Sequence, residues 1–260
     1  MGVVETDKWL RQLYHRPAAI CEKFKVHFKG ASAAEIYGYL AYHGMYQPEN
    51  KGAGIVRQLQ NLHVWEIAKN EFLCCKKEWD GPDVPIYIFP SDSANLLIQN
   101  EFNGKAGLAF KDQLFLFVSP RNSETEIRSL FIHEYNHVCR LTKYPKEEAD
   151  YVLLDTIILE GLAENAVREK FGHKYVSSWA FSYSNDEMEK IWRQYVYPHR
   201  NLKKTKQQHQ EILYGSRVYP KMSGYCAGYY LVKQYLEKTS LSVKDVLKID
   251  AKVLAQIDSM

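Results

Sequence analysis

Apolar residues recur along this chain in two registers, and the switches between them mark its organisation. Trp9, Leu10 and Leu13, followed by Ile20 and Phe24, keep helical spacing and predict an opening helix broken around Pro17. Ser32-Ala-Ala-Glu35 has the form of a capping box, so a second helix is expected from there through Leu40. Ile55, Leu59, Leu62 and Phe72 hold an approximate helical period and predict one longer helix from about Gly54 to Trp79, ended by Gly81-Pro82. The register then shortens. Val84 to Phe89 is rich in β-branched and aromatic residues and predicts a strand, with Pro85 favouring an edge position because proline has no amide to give to a ladder. Leu114 to Val118 is a second apolar run, preceded by Gly107 to Phe110 across a turn at Lys111-Asp112, so a hairpin in a small sheet is expected.

Helical spacing returns at Ser123-Glu-Thr-Glu126, another capping box, after which Ile127, Leu130, Phe131, Val138 and Leu141 mark a buried face. A further helix is expected from roughly Ala149 to Lys170, stopping at Gly172. From Tyr175 onward the pattern is mostly helical, interrupted by a basic, polar stretch from His199 to His209 that reads as a loop or a solvated face. Strands and helices are segregated along the chain, which predicts an α+β fold and not repeated βαβ units. The division that follows is a helical part over 1–83, a core over 84–172 and a helical lobe over 173–260.

The helix opened by Ser123 carries His133-Glu134-Tyr135-Asn136-His137. Imidazoles four residues apart project from one helix face and can share one zinc ion, and the intervening glutamate can reach water at that ion. A catalytic zinc takes three protein ligands and keeps one position open, so a third donor is needed. Glu160 is the best placed, because the chain can turn near Lys143-Tyr144-Pro145 and bring a carboxylate back on the next helix. The apolar neighbours Ile157, Ile158, Leu159 and Leu162 argue that a charge at Glu160 is buried against a partner. Glu164, one turn further on, can accept a hydrogen bond from the ring of a ligand histidine, or pair with Arg168. Arg140 and Lys143 stand where a metzincin would need glycine and histidine, which excludes that class. The bland alternative for the two histidines is a hydrogen-bonded pair on an amphipathic helix; His15, His27, His43, His63, His173, His199 and His209 have no ligand spacing.

The histidine helix followed by a Glu-Gly-x-x-Glu segment resembles the gluzincin metallopeptidases. A closer resemblance covers most of the chain: Phe131-Ile-His-Glu-Tyr-Asn-His-Val-Cys-Arg140, Leu159-Glu-Gly-Leu-Ala-Glu164 and Tyr225-Cys-Ala-Gly-Tyr-Tyr-Leu-Val are similar to the YjaZ-like family of bacterial predicted zinc-dependent proteases. The resemblance implies a zincin, minigluzincin-type core whose C-terminal lobe closes the cleft, with His133, His137 and Glu160 as Zn2+ ligands and Glu164 supporting a ligand histidine. It implies a peptidase in which Glu134 is the general base, taking a proton from water and passing it to the leaving amine. An oxyanion stabiliser from the C-terminal lobe is also implied, for which Tyr225 is chosen over Tyr219, Tyr229 and His199. Leu114 to Val118 is then either the sheet edge that pairs with an extended peptide or a plain core strand.

Composition changes this picture little. With 46% hydrophobic and 25% charged residues in 260, the chain can bury a substantial core, and a net charge of +3 with both signs interspersed calls for neither nucleic acid nor an anionic membrane. The 19 tyrosines are scattered without a basic stripe, which argues against base stacking. Lys203, Lys204 and Lys206 are expected in a solvated loop, with a flap over the cleft as the lesser reading. Glu5, Thr6, Asp7 and Lys8 stand where a signal peptide needs apolar residues, and Met1-Gly2 fits the short acylation pattern only weakly. Five cysteines, an odd number without CxxC spacing, argue against a disulfide framework or thiolate cluster and for a reducing cytoplasm, with Cys139 expected in the core. The expected partner is a peptide or protein substrate. A metal-binding or protein-binding module without turnover, and hydrolysis of another amide or ester, are the competing functions.

Overall fold

The apolar runs in the middle of the sequence form one four-stranded sheet in the computed structural model, which describes residues 2–257. Its strands are β1 (Gly2–Val3), β2 (Pro85–Pro90), β3 (Ala106–Ala109) and β4 (Leu114–Val118), in the spatial order β1-β2-β4-β3. β1 runs parallel to β2 and β2 parallel to β4, whereas β3 and β4 form the antiparallel hairpin expected across Lys111-Asp112. The fold is therefore mixed α and β with a small mixed sheet. One strand expectation needs correction, and one that was left open is decided. β2 is interior, not an edge: Pro85 is its first residue, a place where a missing amide costs no interior ladder bond, and Gly2 pairs beside it. Leu114 to Val118 is also interior, held between β2 and β3, and the edge on that side is β3.

The chain divides into two units, Met1–Val138 and Cys139–Met260. In the first, helices α1 (Thr6–Leu13), α2 (Pro17–Cys21), α3 (Ala33–Tyr42), α4 (Gly52–Asn61) and α5 (Val64–Glu78) precede β2. A short α6 (Leu96–Glu101) precedes β3, and α7 (Glu124–Lys143) follows β4. Strand alternation sorts the core. Tyr87, Phe89, Phe115 and Phe117 point to one sheet face and pack with Leu10, Ile20, Phe24, Ile36 and Leu40. Ile86, Ile88, Leu114 and Leu116 take the opposite face and are equally buried, which is why β2 and β4 read as continuous apolar runs.

Pro17 does break the opening helix, standing at the first position of α2, and Ser32 and Glu35 form the reciprocal capping box that starts α3. The single helix expected from Gly54 to Trp79 is two. His63 adopts a left-handed backbone (φ 54°) between α4 and α5, interrupting the ladder without any glycine or proline to announce it. Gly2, half of the short acylation pattern, is a buried strand residue whose amide donates to the Val84 carbonyl at 3.1 Å.

The second unit holds α8 (Leu153–Phe171), α9 (Asn185–Ile191), α10 (Gln207–Tyr214), α11 (Ser223–Thr239), α12 (Val243–Val246) and α13 (Ala251–Leu254). α8 begins four residues later than expected, after a turn at Glu148–Asp150, and ends at Gly172 as expected, in a left-handed backbone of φ 76°. It is buried nearly all round because α11 lies against it backbone to backbone. A Cβ on Gly161 would stand 2.2 Å from the Gly228 carbonyl oxygen, and one on Gly228 only 1.8 Å from that of Ile157. The stretch from His199 to His209 is largely exposed as expected, Lys203 and Lys204 forming solvated pairs with Asp150 and Glu148; the departure is His209, fully buried in α10.

Among the described residues, no helix is long and apolar enough to cross a membrane. Cys139 is in the core as expected.

Candidate metal centre

α7 starts where its sequence says it should: the Glu126 carboxylate accepts the Ser123 amide at 2.7 Å, and the Ser123 hydroxyl accepts the Glu126 amide at 3.4 Å. Its rotation is set by aromatic packing. Tyr135 is fully buried, its hydroxyl donating to the Pro82 carbonyl at 2.8 Å and its ring lying 5.5 Å from Phe131 and 6.2 Å from Trp79. With one side of the helix fixed in this way, His133 and His137 share another. Their Nε2 atoms are 3.1 Å apart and their ring planes nearly perpendicular at 87°.

Glu160 completes the set. One donor atom from each of His133, His137 and Glu160 lies within 4.8 Å of the other two. Two nitrogens bound to the same tetrahedral zinc at about 2.0–2.1 Å stand roughly 3.3 Å apart, so the spacing of the two Nε2 atoms is that of ligands sharing one ion. Two imidazoles and one carboxylate also match the donor preference of zinc.

Glu134 is buried, with 7% exposure, and lies over the edge strand. A Cβ built on Gly107 of β3 would fall 2.3 Å from both Cγ and Cδ of Glu134 and 2.5 Å from its Oε1. The carboxylate therefore rests against the backbone of β3. Gly107 carries in the sequence the usual sign of such a close approach, a glycine inside a strand pattern, but nothing there names its neighbour.

Glu164 is almost fully enclosed at 2% exposure, and its carboxylate accepts the backbone amide of Ser177, tying α8 to the segment that carries Trp179. Arg168, the partner weighed from spacing, donates its Nε to Asn165 at 3.1 Å. The start of α8 is pinned by Asp155, which accepts the Val152 amide at 3.0 Å and pairs with Lys146 at 2.5 Å. Arg140, one turn beyond His137 on α7, is buried with its guanidinium on the ring of Tyr144 and donates to the carbonyls of Leu247 and Ile249 at 2.8 and 2.7 Å. Burial pulls its pKa below the usual guanidinium range, and nearby acidic side chains oppose that.

Tyr225 lies on α11 next to Gly224, where a Cβ would come within 3.3 Å of Ile157 of α8. Its hydroxyl donates to that of Tyr214 at 3.2 Å and its ring meets Trp179 edge-on. The other aromatic candidates are placed differently. Tyr219 accepts from Gln208 at 2.6 Å and its ring lies 6.1 Å from that of His199. Tyr229 is buried, its hydroxyl enclosed without a hydrogen-bond partner among the described residues, and burial together with the Glu164 charge pushes its pKa up to about 12 against the opposing pull of Arg168.

The uncharacterised protein YjaZ of Bacillus subtilis (strain 168) is 37% identical over 269 residues, with 100% of each chain covered. The uncharacterised protein YjfC of the same organism is 20% identical over 243 residues, spanning 85% of this chain and 78% of that one. No solved structure matches significantly. The family described as predicted Zn-dependent protease (DUF2268) matches residues 64–256, a span that includes the donor set and Tyr225, and this chain belongs to that family.

Proposed function

We propose that this chain is a zinc-dependent metallopeptidase with a zincin-type core, hydrolysing peptide bonds with Glu134 as general base. The observation that carries the reading is the convergence of His133, His137 and Glu160 donors within 4.8 Å, the two histidines flanking on α7 a buried glutamate that rests on a sheet edge. His133, His137 and Glu160 would hold the zinc, which would supply Lewis acidity toward a scissile carbonyl and water. Glu134 takes the proton from the attacking water and returns it to the leaving nitrogen. Tyr225 donates its hydroxyl to the developing oxyanion, leaving Tyr214 as it does so. Glu164 holds the α8 turn that presents Glu160, and supports the ligand set from behind. The edge of β3, beside Glu134, suits an extended peptide added as a further strand, and this favours peptide over small amide or ester substrates. The odd cysteine number and the absence of CxxC spacing favour the cytoplasm as the compartment.

The test uses full-length protein purified without a histidine tag. Wild type and Glu134→Gln are expected to carry about one zinc per chain, while His137→Ala and Glu160→Ala lose or weaken it. Against a peptide library, Glu134→Gln should fall by about 10²–10⁴-fold or more in turnover. Retained turnover in Glu134→Gln excludes it as the base; tight zinc binding with no cleavage by the wild type replaces the peptidase with a metal-binding module that does not turn over.

A further inference from the structure

We infer that Gly107 is a positioning residue for Glu134, and that the bare backbone of β3 at this point is the seat of the carboxylate. The inference rests on the reading of Glu134 as general base. Three observations lead to it. The backbone of Gly107 needs no glycine: it is absent from the positive-φ residues, and it pairs with Leu116 in an ordinary antiparallel register. Glycine in a strand weakens it, so a side chain is missing at a cost. All three heavy atoms nearest to a Cβ at this position belong to Glu134, at 2.3, 2.3 and 2.5 Å. Space that a side chain would fill is occupied by the base.

A backbone seat differs from a side-chain partner in stiffness. A strand held in a ladder moves little, whereas a partnering side chain has rotamers of its own, and a base displaced by about 1 Å can lose on the order of 10²-fold in rate. Even the smallest side chain at 107 must move the carboxylate or the strand. Leu108 and Ala106 point to the other sheet face, towards the aromatic core, and cannot substitute for the glycine in this role.

Two sets of measurements decide the matter. Turnover is compared in wild type, Gly107→Ala, Glu134→Asp and the pair combined, with zinc content recorded for each. Gly107→Ala should keep its zinc and its KM and lose about 10²-fold in kcat, and the shorter acid at 134 should make the alanine far less costly, because it withdraws from the methyl. Unfolding midpoints of metal-free protein are compared in wild type, Gly107→Ala, Glu134→Ala and that pair combined. Any fall caused by the alanine should disappear once Glu134 is truncated. Unchanged kcat in Gly107→Ala overturns the inference, as does a kcat loss of equal size with Asp or Glu at 134. So does a midpoint fall of equal size with and without the Glu134 side chain, which assigns the glycine to strand packing. A wild-type protein that cleaves nothing is a different failure: it removes the peptidase reading, and the positioning role with it.

Discussion

His209 is fully buried on α10, with Nε2 at 3.2 Å from the Thr156 hydroxyl and Nδ1 enclosed without a hydrogen-bond partner among the described residues. Burial first, and then the charge of Lys204, hold its pKa below the usual 6.5. A histidine that stays neutral in the folded chain and takes a proton in the unfolded one contributes stability above its unfolded pKa and loses it as the pH falls through that value. Unfolding measured between pH 7 and 5 should therefore show a declining midpoint that flattens in His209→Gln. Tyr225→Phe tests another single group: kcat should drop by about 10²–10³-fold with zinc content unchanged if the hydroxyl meets the oxyanion. These residues differ in how plainly the sequence showed them. His133 and His137 are legible because four-residue spacing on a helix is itself the geometry. Glu160 is legible because a charge among Ile157, Ile158 and Leu162 demands a reason. His209 sits in a polar run of lysines and glutamines, and nothing local shows that α10 turns it inward. Gly107 is silent for a different reason, since a missing side chain has meaning only once its neighbour is known.

The helices tell a similar story through their ends and contacts. α3 and α7 were readable at their starts because Ser and Glu three residues apart satisfy each other's backbone wherever they occur. The break between α4 and α5 was not, because it depends on a left-handed histidine and not on a residue that favours that conformation. The contact of α8 with α11 depends on Gly161 and Gly228, which look like ordinary helix-weakening glycines until the partner helix is seen. Gly228→Ala should accordingly destabilise by about 3 kcal/mol in chemical denaturation, because a methyl there meets the fixed carbonyl of Ile157. Gly54→Ala on α4 is the control: nothing lies within 4 Å of its added methyl, and the lost backbone freedom of the unfolded chain should make it neutral or stabilising by about 0.5–1 kcal/mol.

At the scale of the whole chain, segregation of strands and helices made the mixed class with a small sheet readable, and the hairpin came with it. β1 was out of reach, because two residues carry no periodicity, and without it β2 had no neighbour on its far side and Pro85 looked like an edge marker. On the proposed reading, zinc held by His133, His137 and Glu160 would join distant segments of the sequence and so stabilise the folded chain. Stability in chemical denaturation should rise with zinc concentration, by about 2.7 kcal/mol at one hundred times the dissociation constant, and should respond far less in Glu160→Ala. Arg140 carries a last consequence. Its buried guanidinium gives two hydrogen bonds to Leu247 and Ile249. A chain made from its amino end acquires His133, Glu134, His137, Glu160 and Tyr225 well before it acquires those two carbonyls. Until they arrive the guanidinium keeps water as its partner, so the last turns of the histidine helix cannot take their buried place. Anchoring of the histidine helix thus waits on a segment 107 to 109 residues further along the chain.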